Sequence, residues 1–337
     1  MIKIIFKLFA LLIIIGSMMT AWYWSEYKIF LKMPIHLSSS EPGYIFTINK
    51  GDSVKQIGQS LEQKKIITQG KYFYLYSRLS KQAGKIKAGE YALKPGMTVV
   101  DLVELFVSGK VTQYSSTIVE GWTFKEALLQ ITQDKHLKLS SQLSMADLVK
   151  QFSSEHESLE GLIYPDTYHY PIGTTDTQFL QRSYEQMQTI LADEWAKKDA
   201  ELPLKTPYEA LILASIVEKE SGGNSERSKI AGVFIRRLNK KMRLQSDPTI
   251  IYGMGERYKG NIRRRDIDEK TAYNTYQING LPPTPIALVG REAIRAVLHP
   301  DKGKSLYFVA DGSGGHIFSN NLKEHNRAVR KYILKKK

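Results

Sequence analysis

Cysteine is absent from all 337 residues, which excludes disulfides, thiolate-bound zinc, iron–sulfur clusters and a thiol nucleophile. Histidine is sparse: seven are scattered along the chain, with no His-x-x-x-His pair or other zinc-like spacing, so neither a metal nor another cofactor is expected. A Gly-x-Ser-x-Gly elbow is missing, which argues against a serine hydrolase. The glycine-rich run from Asp311 to Gly315 lacks a following Gly-Lys-Ser/Thr and reads as a hairpin turn, not a phosphate loop. Acidic residues are the scarcer charge, 34 against 48 basic, a formal surplus of +14. Such a surplus points to a polyanionic neighbour without choosing among nucleic acid, anionic lipid and wall polymer. With 42% hydrophobic and 24% charged residues the chain otherwise has an ordinary globular composition, enough for more than one compact unit.

Long apolar runs are also lacking, with one exception. From Leu8 to Trp24 there is no charge, and Ile4, Ile5 and Phe6, behind a Lys7 that can snorkel, extend the run to spanning length. Lys3 and Lys7 precede it and Trp22, Tyr23 and Trp24 close it as an aromatic belt, so the positive-inside rule leaves residues 1–7 in the cytoplasm and the body outside. The competing reading is a cleaved signal peptide, but Thr20-Ala21-Trp22-Tyr23 matches the small-x-small cleavage pattern poorly. An extracytoplasmic body makes nucleic acid an unsuitable partner and turns the lysines toward anionic lipid or wall polymer. Residues 25–43, ending in a Pro, Ser and Gly mixture, read as a stalk.

Residues 44–139 repeat one pattern three times: an alternating run, a Gly turn, a Ser or Thr suited to a helix N-cap, then apolar residues at helical spacing. The turns are Gly51-Asp52-Ser53, Gly96-Met97-Thr98 and Gly121-Trp122-Thr123. The first resembles the turn of LysM-like modules, which bind N-acetylglucosamine polymers; the other two depart from it. A purely structural α+β spacer is the alternative, and no binding residue is assigned there.

Residues 140–337 carry the denser chemistry. Thr206, Pro207 and Glu209 form a helix start signal with a capping box. Ala210 to Val217 is then apolar nearly all round, as in a buried helix. It runs into Glu218-Lys219-Glu220, so a carboxylate falls where burial would raise its pKa and keep it protonated as a general acid. The alternative is that the helix surfaces and both glutamates are solvated. Helical phase does not separate Glu218 from Glu220. Two polar clusters follow, Gln245-Ser246-Asp247 and Tyr273-Asn274-Thr275-Tyr276, whose aromatic faces, amides and hydroxyls suit a carbohydrate cleft. The aromatic and Gly-containing run from Leu159 to Tyr168 suits either such a cleft or core packing.

The run Leu213 to Glu220, then Leu244 to Thr249, then Tyr273 to Tyr276 with Gly280-Leu281-Pro282-Pro283 and Pro285-Ile286, and the ending Tyr307 to Gly312 with Gly314-Gly315-His316 and Phe318, resembles the YceG-like (MltG) family of endolytic murein transglycosylases. Thr284-Pro285 departs from small residues in that pattern. The resemblance covers nearly the whole chain. It implies an α+β fold: an N-terminal transmembrane helix (8–24), a small LysM-like α+β module (44–139) and a mixed α+β catalytic domain (140–337). It implies Glu218 as the catalytic acid/base, with Glu220, Gln245, Ser246, Asp247, Tyr273, Asn274, Thr275 and Tyr276 lining the cleft. It further implies cleavage of the bond between N-acetylmuramic acid and N-acetylglucosamine with closure of a 1,6-anhydro ring, at the cytoplasmic (inner) membrane beside penicillin-binding proteins. A water-using muramidase would need a second carboxylate, for which Asp247 and Asp166 are the candidates. A non-catalytic, wall-binding scaffold for synthases is the other alternative.

Overall fold

The computed structural model describes residues 2–37, 43–140, 145–152, 156–221 and 224–334. Its contacts divide the chain into two compact units, Met1–Tyr114 with Tyr170–Gly173, and Ser115–His169 with Thr174–Lys337. The division precedes residue 139, so the third strand-turn-helix copy belongs to the second unit.

The first unit holds α1 (Ile2–Lys32), β1 (Tyr44–Ile48), α2 (Val54–Gln63), α3 (Gly70–Leu79), β2 (Gly89–Leu93) and α4 (Val99–Ser108). β1 and β2 pair antiparallel with Phe46 opposite Tyr91, and alternation sends Phe46, Ile48, Tyr91 and Leu93 to one face. That face meets Phe73 and Phe106 in the core. The helix starts are built as the spacing implies: Ser53 with Gln56, and Thr98 with Asp101, form reciprocal capping boxes. α3 has no counterpart in the repeat pattern.

The stalk reading needs correction. No helix breaker separates Trp24 from Lys32, and α1 continues through residues 25–32 because Tyr27 and Phe30, one turn apart, are buried in the first unit's core. Beyond it the chain is pinned: Ile35 N–H donates to the Met97 carbonyl at 2.7 Å and His36 N–H to that of Ile66 at 2.9 Å. Residues 38–42 of the stalk lie outside the described residues.

β3 (Gln113–Thr117) follows and pairs with β4 (Thr167–Pro171), and the division between the units falls within both strands. α5 (Phe124–Gln133) and α6 (Met145–Phe152) precede β4. Then come α7 (Asp176–Trp195), α8 (Pro207–Glu220), α9 (Arg227–Asn239), α10 (Asp247–Met254), α11 (Arg264–Asp268), α12 (Arg291–Leu298), β5 (Tyr307–Ala310), β6 (His316–Ser319) and α13 (Leu322–Tyr332). β5 and β6 form the expected hairpin.

α8 is the centre of this second unit. All eight residues from Ala210 to Val217 are buried, because α7, α9, α10 and α12 pack around it. Its one buried hydroxyl is satisfied: Ser215 Oγ donates to the Ile212 carbonyl at 2.7 Å and accepts Ile286 N–H at 2.9 Å. The cap at its start differs from the expected box. Thr206 accepts Glu209 N–H, but the Glu209 carboxylate takes Lys205 N–H in place of Thr206 N–H. Gly161 lies at φ +76°, and a Cβ there would collide with the Pro285 ring, so the Leu159 to Tyr168 run closes on the Pro285 loop only with glycine at that position.

Candidate active site

Glu218 is the first residue of α8 beyond the fully buried run, and its side chain is only 8% exposed. Its Oε1 accepts a hydrogen bond from Arg227 Nη2 at 2.9 Å. Its Oε2 is buried and has no hydrogen-bond partner among the described residues. Arg227 opens α9, and the same Nη2 lies 3.4 Å from Glu120 Oε2. One guanidinium thus stands between two carboxylates.

Glu120 arrives on the turn between β3 and α5, and that turn is tied down on three sides. Gly121 N–H donates to the Leu288 carbonyl at 2.8 Å, Leu288 N–H donates to that of Trp122 at 2.7 Å, and Lys219 Nζ donates to that of Gly121 at 3.0 Å. Gly290 leaves the space: a Cβ there would fall within the Glu120 carboxylate. Burial raises the Glu218 carboxyl above the ordinary glutamate range; the charge and hydrogen bond of Arg227 oppose this, while Glu120 adds to it.

Glu220 faces a different set of partners. Its Oε1 accepts from Ser246 Oγ at 2.6 Å. Burial raises its carboxyl as well; the Ser246 hydroxyl opposes that, Asp247 reinforces it, and His316 and Arg237 pull it back. Ser246 N–H donates to Thr275 Oγ1 at 2.9 Å, and Thr275 Oγ1 lies 2.9 Å from Thr249 Oγ1. Tyr276 donates its hydroxyl to Asp247 Oδ1 at 2.7 Å. The structure therefore gathers Glu220, Ser246, Asp247, Thr275 and Tyr276 into one network.

The remaining expected site residues serve other contacts. Asn274 is buried, and its amide donates to the carbonyls of Ile267 at 3.0 Å and Glu269 at 2.6 Å, which holds the preceding loop. Gln245 is exposed at φ +51° with its N–H on the Thr275 carbonyl. Tyr273 shares a hydrogen bond of 2.8 Å with Thr284, the residue that departs from the family pattern. Asp166 is exposed and accepts from Gln186 at 3.0 Å. Among the described residues no group of three His, Asp or Glu side chains is arranged to hold a metal ion.

Sequence reasoning missed three charged groups. Arg227 and Glu120 are partners of Glu218 from nine residues downstream and 98 upstream, and no local pattern pointed to either. The third is Glu160, 4% exposed. Its oxygens accept Phe124 N–H at 2.9 Å and the Tyr252 hydroxyl at 3.1 Å, yet burial outweighs both bonds and pushes the carboxyl up to about 7. Its place beside buried Leu159, Leu162 and Ile163 assigns the first half of the Leu159 to Tyr168 run to the core, while Asp166 and Thr167 are exposed.

Comparison with known proteins agrees with this arrangement of elements. A model of the YceG-like family matches residues 46–331. The endolytic murein transglycosylase of Bacillus subtilis (strain 168) is 33% identical over 309 residues, covering 86% of this chain and 84% of that protein. The protein of the same name from Streptococcus pneumoniae (serotype 2, strain D39) is 29% identical, and its alignment covers 95% of this chain but 64% of the longer relative. A crystal structure of a yceG-like protein from Listeria monocytogenes superposes with a TM-score of 0.55 at 32% identity, covering 86% of this chain and 99% of that one. By the extent of the family match and the identity to its relatives, this chain belongs to the YceG-like family.

Proposed function

We propose that this chain is an endolytic murein transglycosylase held at the cytoplasmic membrane by α1, with its N-terminus in the cytoplasm and both units outside, and with Glu218 as its acid/base. The names of its relatives support the activity. One apolar helix long enough to span a bilayer, unburied over its apolar window, supports the anchor. The observation that carries the choice of residue is the Glu218 carboxyl: buried, raised in pKa, salt-bridged through one oxygen and, among the described residues, unpartnered at the other. Among the described residues a proton on Oε2 has no acceptor, and it is available to a glycosidic oxygen.

In the reaction, Glu218 gives that proton to the oxygen leaving the muramoyl anomeric carbon as an oxocarbenium-like transition state develops. The carboxylate left behind is stabilised by Arg227. It then takes the proton of the muramoyl C6 hydroxyl, whose oxygen bonds to the anomeric carbon and closes the 1,6-anhydro ring. Glu218 ends protonated, as it began, and no water is consumed. Glu220 with Ser246, Asp247, Gln245, Tyr273 and Tyr276 forms the wall of the sugar site, and the buried Asn274 and Thr275 hold that wall from behind. Gly51-Asp52-Ser53, at the capped start of α2, supports a LysM-like role in holding glycan for the first unit. Wall synthases of the penicillin-binding class are the protein partners this activity calls for.

One observation favours a second reading, a water-using muramidase. Glu120 shares the Arg227 guanidinium with Glu218, which is close enough for a carboxylate pair, whereas Asp247 and Asp166 hold other partners. Mass spectrometry of purified glycan strands digested with the full-length chain separates the readings. Anhydro ends that disappear in Glu218→Gln support transglycosylation. Reducing ends support the hydrolase. No cleavage by wild type, where another lytic enzyme cuts the same strands, leaves the scaffold.

A further inference from the structure

α3 buries one face in the first unit's core, with Tyr72, Phe73 and Ser77 at 6%, 0% and 0% exposure. Its opposite face, Lys71, Tyr74, Leu75, Arg78 and Leu79, recurs at one-turn spacing and is exposed. Three of these are large apolar side chains, Leu79 being 59% exposed. Solvent alone gives no reason for a tyrosine and two leucines to be aligned in one stripe, and aligned exposed apolar residues mark a contact surface. No acid interrupts the stripe, and Lys81 and Lys85 continue its positive charge beyond the helix. Two carboxylates beside α3 are engaged elsewhere: Glu26 accepts the Tyr72 hydroxyl at 3.0 Å, and Glu62 accepts Gly70 N–H at 3.1 Å.

The position of this stripe along α1 identifies what it meets. A hydrocarbon core of about 30 Å takes about 20 helical residues, which α1 supplies between Ile4 and the belt at Trp22, Tyr23 and Trp24. Headgroups add roughly 5–8 Å on each side. Tyr27, three residues past Trp24 and so about 4.5 Å further along the axis, is already in the first unit's core, with its ring centroid 5.7 Å from that of Tyr72 on α3. The Phe30 ring is 5.4 Å from the same Tyr72 ring, and Lys71 Nζ lies 6.0 Å from the ring of Tyr23 in the belt. The first turn of α3 therefore lies at headgroup depth. Because α1 runs unbroken into Lys32 and residues 34–36 are hydrogen-bonded to the same unit, no slack tether lifts it away.

On the reading of α1 as a membrane anchor, we infer that the Lys71, Tyr74, Leu75, Arg78 and Leu79 face of α3 is a docking surface for an anionic lipid bilayer. The tyrosine and leucines enter the headgroup boundary while Lys71 and Arg78 meet lipid phosphates, as in other interfacial helices. The first unit is then held flat on the membrane in a fixed orientation, unlike a module swinging on a stalk.

The natural absence of cysteine makes the test direct. Single cysteines at Ile13→Cys, Leu75→Cys and Leu79→Cys in the full chain, each carrying an environment-sensitive fluorophore, are reconstituted in bilayers containing phosphatidylglycerol, with nitroxide quenchers placed deep or shallow in the lipid. The expected result is deep quenching at position 13 and shallow quenching at 75 and 79. Lys71→Glu and Arg78→Glu should each weaken docking by about fivefold, the share of one basic residue at an anionic surface, and pure phosphatidylcholine should weaken it as well. Quenching at 13 without any at 75 and 79 overturns the docking surface and keeps the anchor; if energy transfer then shows two copies meeting at α3, the stripe is a self-association face. No quenching at 13 removes the anchor and the inference together. The same probes in bilayers without nitroxide lipid calibrate the unquenched signal.

Discussion

The last turn of α8 has two sides that differ in kind. On one, Glu220 joins a network carried by hydroxyls: Ser246 Oγ donates to Glu220, Thr275 Oγ1 accepts Ser246 N–H and meets Thr249 Oγ1, and Tyr276 donates to Asp247. On the other, Glu218 meets a full positive charge, a second carboxylate behind it and, among the described residues, no partner at Oε2. Burial raises both carboxyls, so raised pKa alone does not distinguish an acid in waiting from a buried structural group. What distinguishes them is that Glu218 has a fully buried oxygen with no partner among the described residues. Native structures leave few buried polar atoms unsatisfied, and a site that must receive a substrate atom is a physical reason to leave one.

The largest effect that sharpens this contrast is the loss of Glu218 as an acid. Glu218→Gln keeps shape and burial while removing the proton that can be transferred, and it should lower the rate of glycan cleavage by about 10²–10⁴. Glu220→Gln should cost less than about tenfold, and both variants should melt near wild type. Equal losses in the two would erase the distinction.

Glu160 supplies the structural extreme of the comparison. Its folded pKa of about 7 lies above that of an unfolded glutamate, so its contribution to stability is complete below the unfolded value and is lost as pH rises through the folded one. Stability should fall by about 3 kcal/mol between roughly pH 4.5 and 7 on this group's account, and Glu160→Gln should lack that fall. Thermal melts of both proteins across the window read the difference, and parallel curves would refute it.

Arg227→Met breaks the contrast from its other end. Without the guanidinium, Glu218 loses the charge that holds its pKa down and its carboxylate loses a partner, so the alkaline limb of the pH–rate profile should move to higher pH and the maximal rate should fall about tenfold, the share of one charged hydrogen bond. An unmoved limb would show that Arg227 only packs. The smallest effect is Thr275→Val on the Glu220 side. It removes the acceptor of Ser246 N–H and the partner of Thr249, and should cost about 1–2 kcal/mol of unfolding free energy with little change in rate. A large loss of rate without loss of stability would place Thr275 against substrate.

Local features made α8 legible in sequence: Thr206 and Pro207 marked its start, and a run with no polar face beyond Ser215 marked its burial, because a helix surrounded by helices needs no hydrophilic side. The capped starts of α2, α4 and α5 were legible for the same reason, since a capping box lies within four residues. What separates Glu218 from Glu220 was not. It depends on Arg227 at the head of another helix and Glu120 on a turn fixed by Leu288 and Gly290, contacts that only tertiary packing creates. α1 was half legible: its apolar run announced a span, but its continuation to Lys32 follows from Tyr27 and Phe30 finding a core whose other walls lie in α3 and α4. Asn274 and Thr275, read as sugar ligands from their chemistry, are buried with their bonds on neighbouring backbone and hydroxyl groups, a distinction that residue type cannot carry.

That Glu218 enters the reaction as the acid is tested most directly by titrating its side-chain carboxyl in the full-length protein. Carbon-detected nuclear magnetic resonance of glutamate-labelled chain, with the signal assigned by its disappearance in Glu218→Gln, reads the proton itself. Titration above the ordinary glutamate value of about 4.3, moving higher still in Arg227→Met, is the expected result. Titration at or below that value would contradict it, leaving Glu218 as one half of a buried salt bridge and not a donor.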